Sequence, residues 1–209
     1  MEGNNNSNLE TLENLDQKIL SLLGLSLVLT VYLNVKPVCD VTIQAGDVLE
    51  LDKKTKKFKE VLSRLGLKFK ESYQKLDNSY ITDEKDLMHF SISKSGDNFT
   101  SRPDFSDSKL SEQERKEKHI EYGTALGFPK TAVQAFIDGT TYKIFELVDI
   151  LSPEEFAFLY FAPSKAHLKE ELELVHSFAE KTKVASPKLY QILLNNANEL
   201  YDRVKVKEL

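Results

Sequence analysis

The chain has 209 residues, 41% of them hydrophobic and 29% charged, and a net charge of −5. That length makes one domain or two small ones with enough apolar material for a core. The negative balance argues against a dedicated binder of nucleic acid or anionic membranes, a local basic patch aside. The single cysteine, Cys39, excludes an intrachain disulfide and a cysteine-based zinc site, and fits a reducing compartment.

Residues 1–8, with three asparagines in a row, are expected to be a disordered terminus. Ser7-Asn8-Leu9-Glu10 reads as a capping box, and Leu9, Leu12, Leu15, Ile19, Leu22 and Leu23 recur at helical spacing up to Gly24. The period then switches to two. Leu27, Leu29, Val31, Leu33 and Val35 predict a strand, with Cys39, Val41, Ile43 and Ala45 as its antiparallel hairpin partner beyond Pro37. The apolar stretch from Ile19 to Leu33 is short for a bilayer span. Acidic Glu10, Glu13 and Asp16 ahead of it are unlike the basic start of a signal peptide. The expectation is a cytoplasmic protein with no membrane segment.

Gly46-Asp47 makes a turn, and Lys53 to Arg64 reads as a basic helix that buries Phe58, Val61, Leu62 and Leu65. Lys53, Lys54, Lys56, Lys57 and Lys59 would lie near its start, where the helix dipole disfavours cations. They form either a solvated face or a patch for an acidic partner. Strands follow over Leu67–Lys75 and Met88–Ser93, separated by turn chemistry at Asn78-Ser79, with His89 on the polar face. Residues 9–95 thus read as an α/β-rich part with a hairpin and a basic helix. Residues 96–110 read as a loop or linker, within a stretch from Ser93 to Asp107 rich in Ser, Gly, Asp and Asn.

Residues 111–209 read as mainly helical and packed on the first part as one domain. Ser111 to Glu114 is a capping box that opens a helix to Leu126; Gly127 suits the left-handed position past its end and Pro129 the first turn of the next helix. Ala132, Val133, Phe136 and Ile137 then share one apolar face. Tyr142–Leu151 and Phe156–Phe161 fit helix or strand equally. Ser164 caps a helix burying Leu168, Leu172, Val175 and Ala179, and Ser186-Pro187 opens a last one burying Leu189, Leu193, Ala197, Leu200 and Val204. The fold class is α+β, with a mixed or antiparallel sheet from the first half and helices from the last half packed on one face.

Helix, glycine turn and second short helix resemble the helix-turn-helix motif of DNA-binding proteins. Gly123 falls where that motif needs a very small residue, Leu126 and Phe128 flank Gly127, and Val133 and Phe136 take its buried positions. The resemblance implies that Lys130, Thr131, Gln134 and Asp138 face the major groove. One lysine, no arginine and an aspartate are a poor set for phosphate, so DNA is disfavoured and Lys53 to Lys59 are the dense source of cations. The same stretch, Gly123, Leu126, Gly127, Phe128, Pro129, Val133 and Phe136, is similar to prokaryotic proteins of unknown function that carry a Gly-x-x-Leu-Gly-aromatic-Pro segment. It covers about a tenth of the chain.

No phosphate loop, dinucleotide fingerprint or nucleophile elbow is present. His167 with Glu171 and His176 with Glu180 stand four apart, short of the three ligands a zinc site needs. No catalytic residue, metal or cofactor is assigned. His119 and Tyr122, with Glu121, lie beside the Gly123 face as ligand or acid/base candidates. Lys130, Thr131 and Gln134 are candidates for DNA or for an anion held at a helix N-terminus. The leading expectation is a soluble intracellular binding or regulatory module without catalysis. Its partner would be a protein or a small anionic ligand, or a second copy in a homodimer. The alternatives are a helix-turn-helix DNA-binding protein, or a small-ligand or anion-binding enzyme with a pocket near Gly123–Pro129.

Overall fold

The computed structural model describes residues 5–76, 85–96, 99 and 110–206. The chain divides into two compact units, Met1–Phe99 and Thr100–Leu209. The fold is α+β, with the sheet in the first half. Among the described residues no helix is long and apolar enough to cross a membrane. The Asn78-Ser79 turn and most of the expected linker lie outside the described residues.

The first unit runs α1 (Asn5–Glu13), α2 (Leu22–Tyr32), β1 (Val38–Ala45), α3 (Val48–Arg64), β2 (Lys68–Leu76) and β3 (Lys85–Ser93). Residues 5–8 belong to α1, and residues 1–4 lie outside the described set. The strand expected over Leu27–Val35 is instead helix α2. Ser21 nucleates it by accepting a hydrogen bond from the Gly24 amide, which places Gly24 in its first turn rather than at the end of the preceding helix. Gly24, Leu25, Ser26, Val28, Leu29, Thr30 and Val31 are all buried, so the helix has no polar face to reveal its period. Asn34, at φ 54°, turns the chain out, and the Val35 and Lys36 amides donate to the Thr30 carbonyl. The predicted hairpin therefore does not form.

The neighbour of β1 is β3. The sheet has strand order β1-β3-β2 and is antiparallel throughout, with Cys39 opposite Ile92, Val41 opposite Phe90 and Phe69 opposite Ile92. Alternation is clean in β1: Val41, Ile43 and Ala45 are buried while Thr42 and Gln44 are exposed. Helix α3 packs on the apolar face through Leu51, Phe58 and Leu62, with Phe58 edge-on to Phe90 at 5.1 Å. Asp47 caps α3 through the Glu50 amide at 2.8 Å. The helix thus starts five residues before Lys53, and the lysines occupy its middle, where the dipole penalty expected of them is absent.

The second unit runs α4 (Glu112–Ala125), α5 (Lys130–Ile137), α6 (Ile144–Leu147), α7 (Pro153–Phe158), α8 (Leu168–Ala185) and α9 (Pro187–Val206). Both ambiguous segments are helical in part. Ser152 and Glu155 form a capping box that commits Pro153–Phe158 to α7. The cap of α8 is His167, not Ser164, whose hydroxyl accepts from the Ala166 amide ahead of the helix. Phe158 packs against Phe178 at 5.4 Å and Tyr190 at 5.2 Å, among buried Val175, Leu189 and Leu193. Leu168 and Leu172, expected in that core, are half-buried, and Leu200 is exposed. Val175 and Ala179 are buried as expected, and Glu171, Phe178 and Thr182 complete the buried stripe of α8.

Candidate functional site

The α4–α5 corner is built as the sequence implies. Ser111 and Glu114 cap α4 reciprocally. Gly127 closes it at φ 73°, where a side chain would be strained. A Cβ placed on Gly123 would meet Val133 Cγ2 at 2.9 Å, so the two helices touch at the missing side chain. Ala132, Val133 and Ala135 form the buried face of α5, with Leu126 buried beside the turn.

Phe136 does not join that face. It is 56% exposed, and its ring lies 5.5 Å from that of His119 on α4. The eight-residue helix turns its small residues inward, because the contact at Gly123 leaves no depth for an aromatic ring. Ile137 is half-buried. Lys130 and Gln134 are exposed, and the Gln134 amide donates to both Asp138 oxygens at 3.0 Å. Tyr122 is half-buried. Lys116 pairs with Glu112 at 2.8 Å. The hydrogen bond to Glu112 raises its pKa, and the charge of Asp138 adds to that.

Thr131 faces inward. Its hydroxyl donates to Glu171 Oε1 at 2.5 Å, and Oε2 of the same carboxylate accepts the Ser164 amide at 2.7 Å. Glu171 is 2% exposed. The anion beside the first turn of α5 is thus the protein's own. Glu171 was not singled out in sequence as a partner of Thr131, although it stands on the stripe Leu168, Leu172, Val175, and a carboxylate on an apolar stripe is a signal for a buried partner.

The remaining candidates are dispersed. His167 pairs with Glu170 at 3.3 Å and His176 with Glu155 at 3.0 Å, rather than with Glu171 and Glu180. No group of three or more His, Cys, Asp or Glu able to hold a metal occurs among the described residues. His89, on the polar face of the sheet, bridges Thr42 at 2.8 Å and Gln74 at 3.0 Å. In the basic helix Lys54 binds Glu50 and the Gln44 carbonyl, and Lys59 binds Glu71 at 2.5 Å. Lys53, Lys56 and Lys57 stay exposed. Beside them lies an open groove of about 620 Å³ whose wall mixes Lys56, Lys59 and Arg64 with Asp52 and Glu60. Cys39 is buried, and burial pushes its thiol up to about 12, which removes it as a nucleophile. Compared with known proteins, the chain matches no family model, no curated protein and no solved structure.

Proposed function

We propose that the chain is a soluble, cytoplasmic binding or regulatory module without catalysis of its own, and that it engages a protein partner through the outer face of the α4–α5 corner. The carrying observation is Phe136, an aromatic ring 56% exposed on a helix that turns Ala132, Val133 and Ala135 inward. Ile120 on α4 is exposed near His119 in sequence, and Ile144 and Phe145 follow α5 with exposed side chains. Exposed aromatics set among polar residues on a rigid support are the anchors that protein interfaces use. The support is rigid because Gly123 against Val133 and Thr131 on Glu171 hold α5 from beneath.

The test is parallel affinity capture with the full chain and with its Phe136→Ser variant, after both are shown to melt alike. Proteins retained by the wild type and lost by the variant support the reading; identical retention overturns it. Turnover in a broad hydrolase and phosphotransferase screen, lost on changing His119 or His167, would also overturn it.

Exposure of Lys130 and Gln134 on α5 favours DNA as the second reading. Anisotropy against a random DNA pool at low salt separates the two, since non-specific binders respond at roughly 10⁻⁴ to 10⁻⁶ M even at physiological salt. A titration that weakens with salt and with Lys130→Ala would replace the protein-binding reading.

A further inference from the structure

β2 is an outer strand of the sheet, and its partner there is β3. Along its other edge no strand pairs with it among the described residues. An edge of that kind presents a row of backbone donors and acceptors to any chain that can align with it. Apart from Phe69, which is half-buried against Phe90, β2 is also exposed on both faces. Lys68, Lys70, Ser72 and Gln74 are exposed on one, and Glu71, Tyr73 and Lys75 on the other. Tyr73 is 51% exposed on the same face that buries Phe90 and Ile92 in β3.

The charges along this strand say what completes it. Two copies of β2 related by a two-fold axis perpendicular to the sheet run antiparallel and keep their faces. A residue can then oppose only residues that lie on its own face. With Tyr73 opposite its own copy, Glu71 of each chain stands opposite Lys75 of the other, and Ser72 opposite Gln74. This register extends an alternation already present within one chain. Lys75 stands opposite Asp86 in the β2–β3 ladder, and Glu71 binds Lys59 of α3 at 2.5 Å. Across the axis the row reads Asp86, Lys75, Glu71, Lys59, with signs alternating throughout. Neighbouring registers lose this. Centring on Glu71 sets two glutamates face to face, centring on Lys70 sets two lysines, and centring on Ser72 leaves Glu71 opposite Tyr73 with no ion pair. Like charges directly opposite destabilise a sheet and unlike charges stabilise it.

We propose that β2 is a homodimer seam: two copies pair β2 to β2 in the register that opposes Tyr73 to Tyr73, forming one continuous sheet through both chains. The occupant is a second copy because a two-fold contact requires that residue i meet j while j meets i, and Glu71 with Lys75 satisfies that twice. The interface lies in the first unit.

The experiment is sedimentation velocity on the full chain and on two charge variants. A single-strand seam is a small, transient kind of interface, so protein on the order of 100 µM is used. The wild type is expected to dimerise with concentration. Glu71→Lys and Lys75→Glu should each weaken the dimer roughly tenfold or more, because each turns two attractions into two repulsions. An equimolar mixture of the two variants should dimerise again, since both cross-strand pairs are then unlike, and the double variant should dimerise alone. Restoration by mixing cannot come from misfolded chains. A wild type that stays monomeric, variants that dimerise like wild type, or a mixture that fails to recover the dimer would each overturn the proposal.

Discussion

The Thr131 hydroxyl on α5 donates to Glu171 on α8 at 2.5 Å, forty residues away in sequence. With the Ser164 amide on its other oxygen, that carboxylate ties α5, the segment before α8 and α8 itself together. Truncation by Glu171→Ala leaves the buried Ser164 amide and the half-buried Thr131 hydroxyl without this partner, at about 1–3 kcal/mol each. The expected loss is about 3 kcal/mol, read by urea unfolding. Thr131→Val should cost about 1–2 kcal/mol, and the double variant less than the sum, since the two side chains share one bond.

Gly123 makes the corner possible, and the prediction there has a built-in rescue. Alanine is the better helix former by about 1 kcal/mol. Its Cβ would nevertheless lie 2.9 Å from Val133 Cγ2, so α5 must move. Gly123→Ala should therefore cost about 1–3 kcal/mol of stability as an overpacked contact. Val133→Ala removes the clashing methyls, so in that background the same change should cost less or become favourable. Thermal melts of the four proteins in the cycle decide it.

Phe136→Ser should leave stability within about 0.5 kcal/mol of wild type, because most of the ring is already in water. A large destabilisation would mean that the ring serves the corner itself. Equal melting temperatures would leave it for a partner, as the proposed function requires.

Lys36 is 4% exposed, and burial lowers its ammonium to about 8, with Cys39 and then Asp40 opposing that shift. The folded value lies below the unfolded one. Between pH 8 and 10.5 the unfolded chain therefore binds more protons at this site, and stability rises with pH. Below that window the penalty is present in full, on the order of 3 kcal/mol. Lys36→Met should stabilise the first unit at neutral pH by about 1–3 kcal/mol and flatten the rise relative to wild type. Urea midpoints of both proteins between about pH 7 and pH 10 check the sign.

Legibility in the sequence followed the presence of local chemistry. Ser111 with Glu114 and Gly127 marked α4 and its turn, because caps and left-handed positions are set within a few residues. Leu27 to Val35 misled because the outer side of this helix, at Leu23 and Leu27, is apolar as well, so no polar period shows and alternate apolar residues imitate a strand. The start of α3 was missed because Asp47 was read only as a turn residue, although its side chain is the helix cap. At the candidate site, Lys130 and Gln134 are exposed, but Thr131, which a helix-turn-helix reading also needs at the surface, is engaged by Glu171. The inward turn of Thr131 and the outward turn of Phe136 were hidden, since both follow from where α8 places Glu171 and how closely Gly123 admits α5.

Cys39 has one more use. Its side chain has no exposed surface, its thiol ionises only near 12, and it is the chain's sole cysteine. A thiol reagent added to native protein will therefore react only during excursions that uncover β1, and its rate clocks the opening of the first unit. The second unit has no thiol and stays silent in that assay, so the opening of the first half is read by itself without cutting the chain.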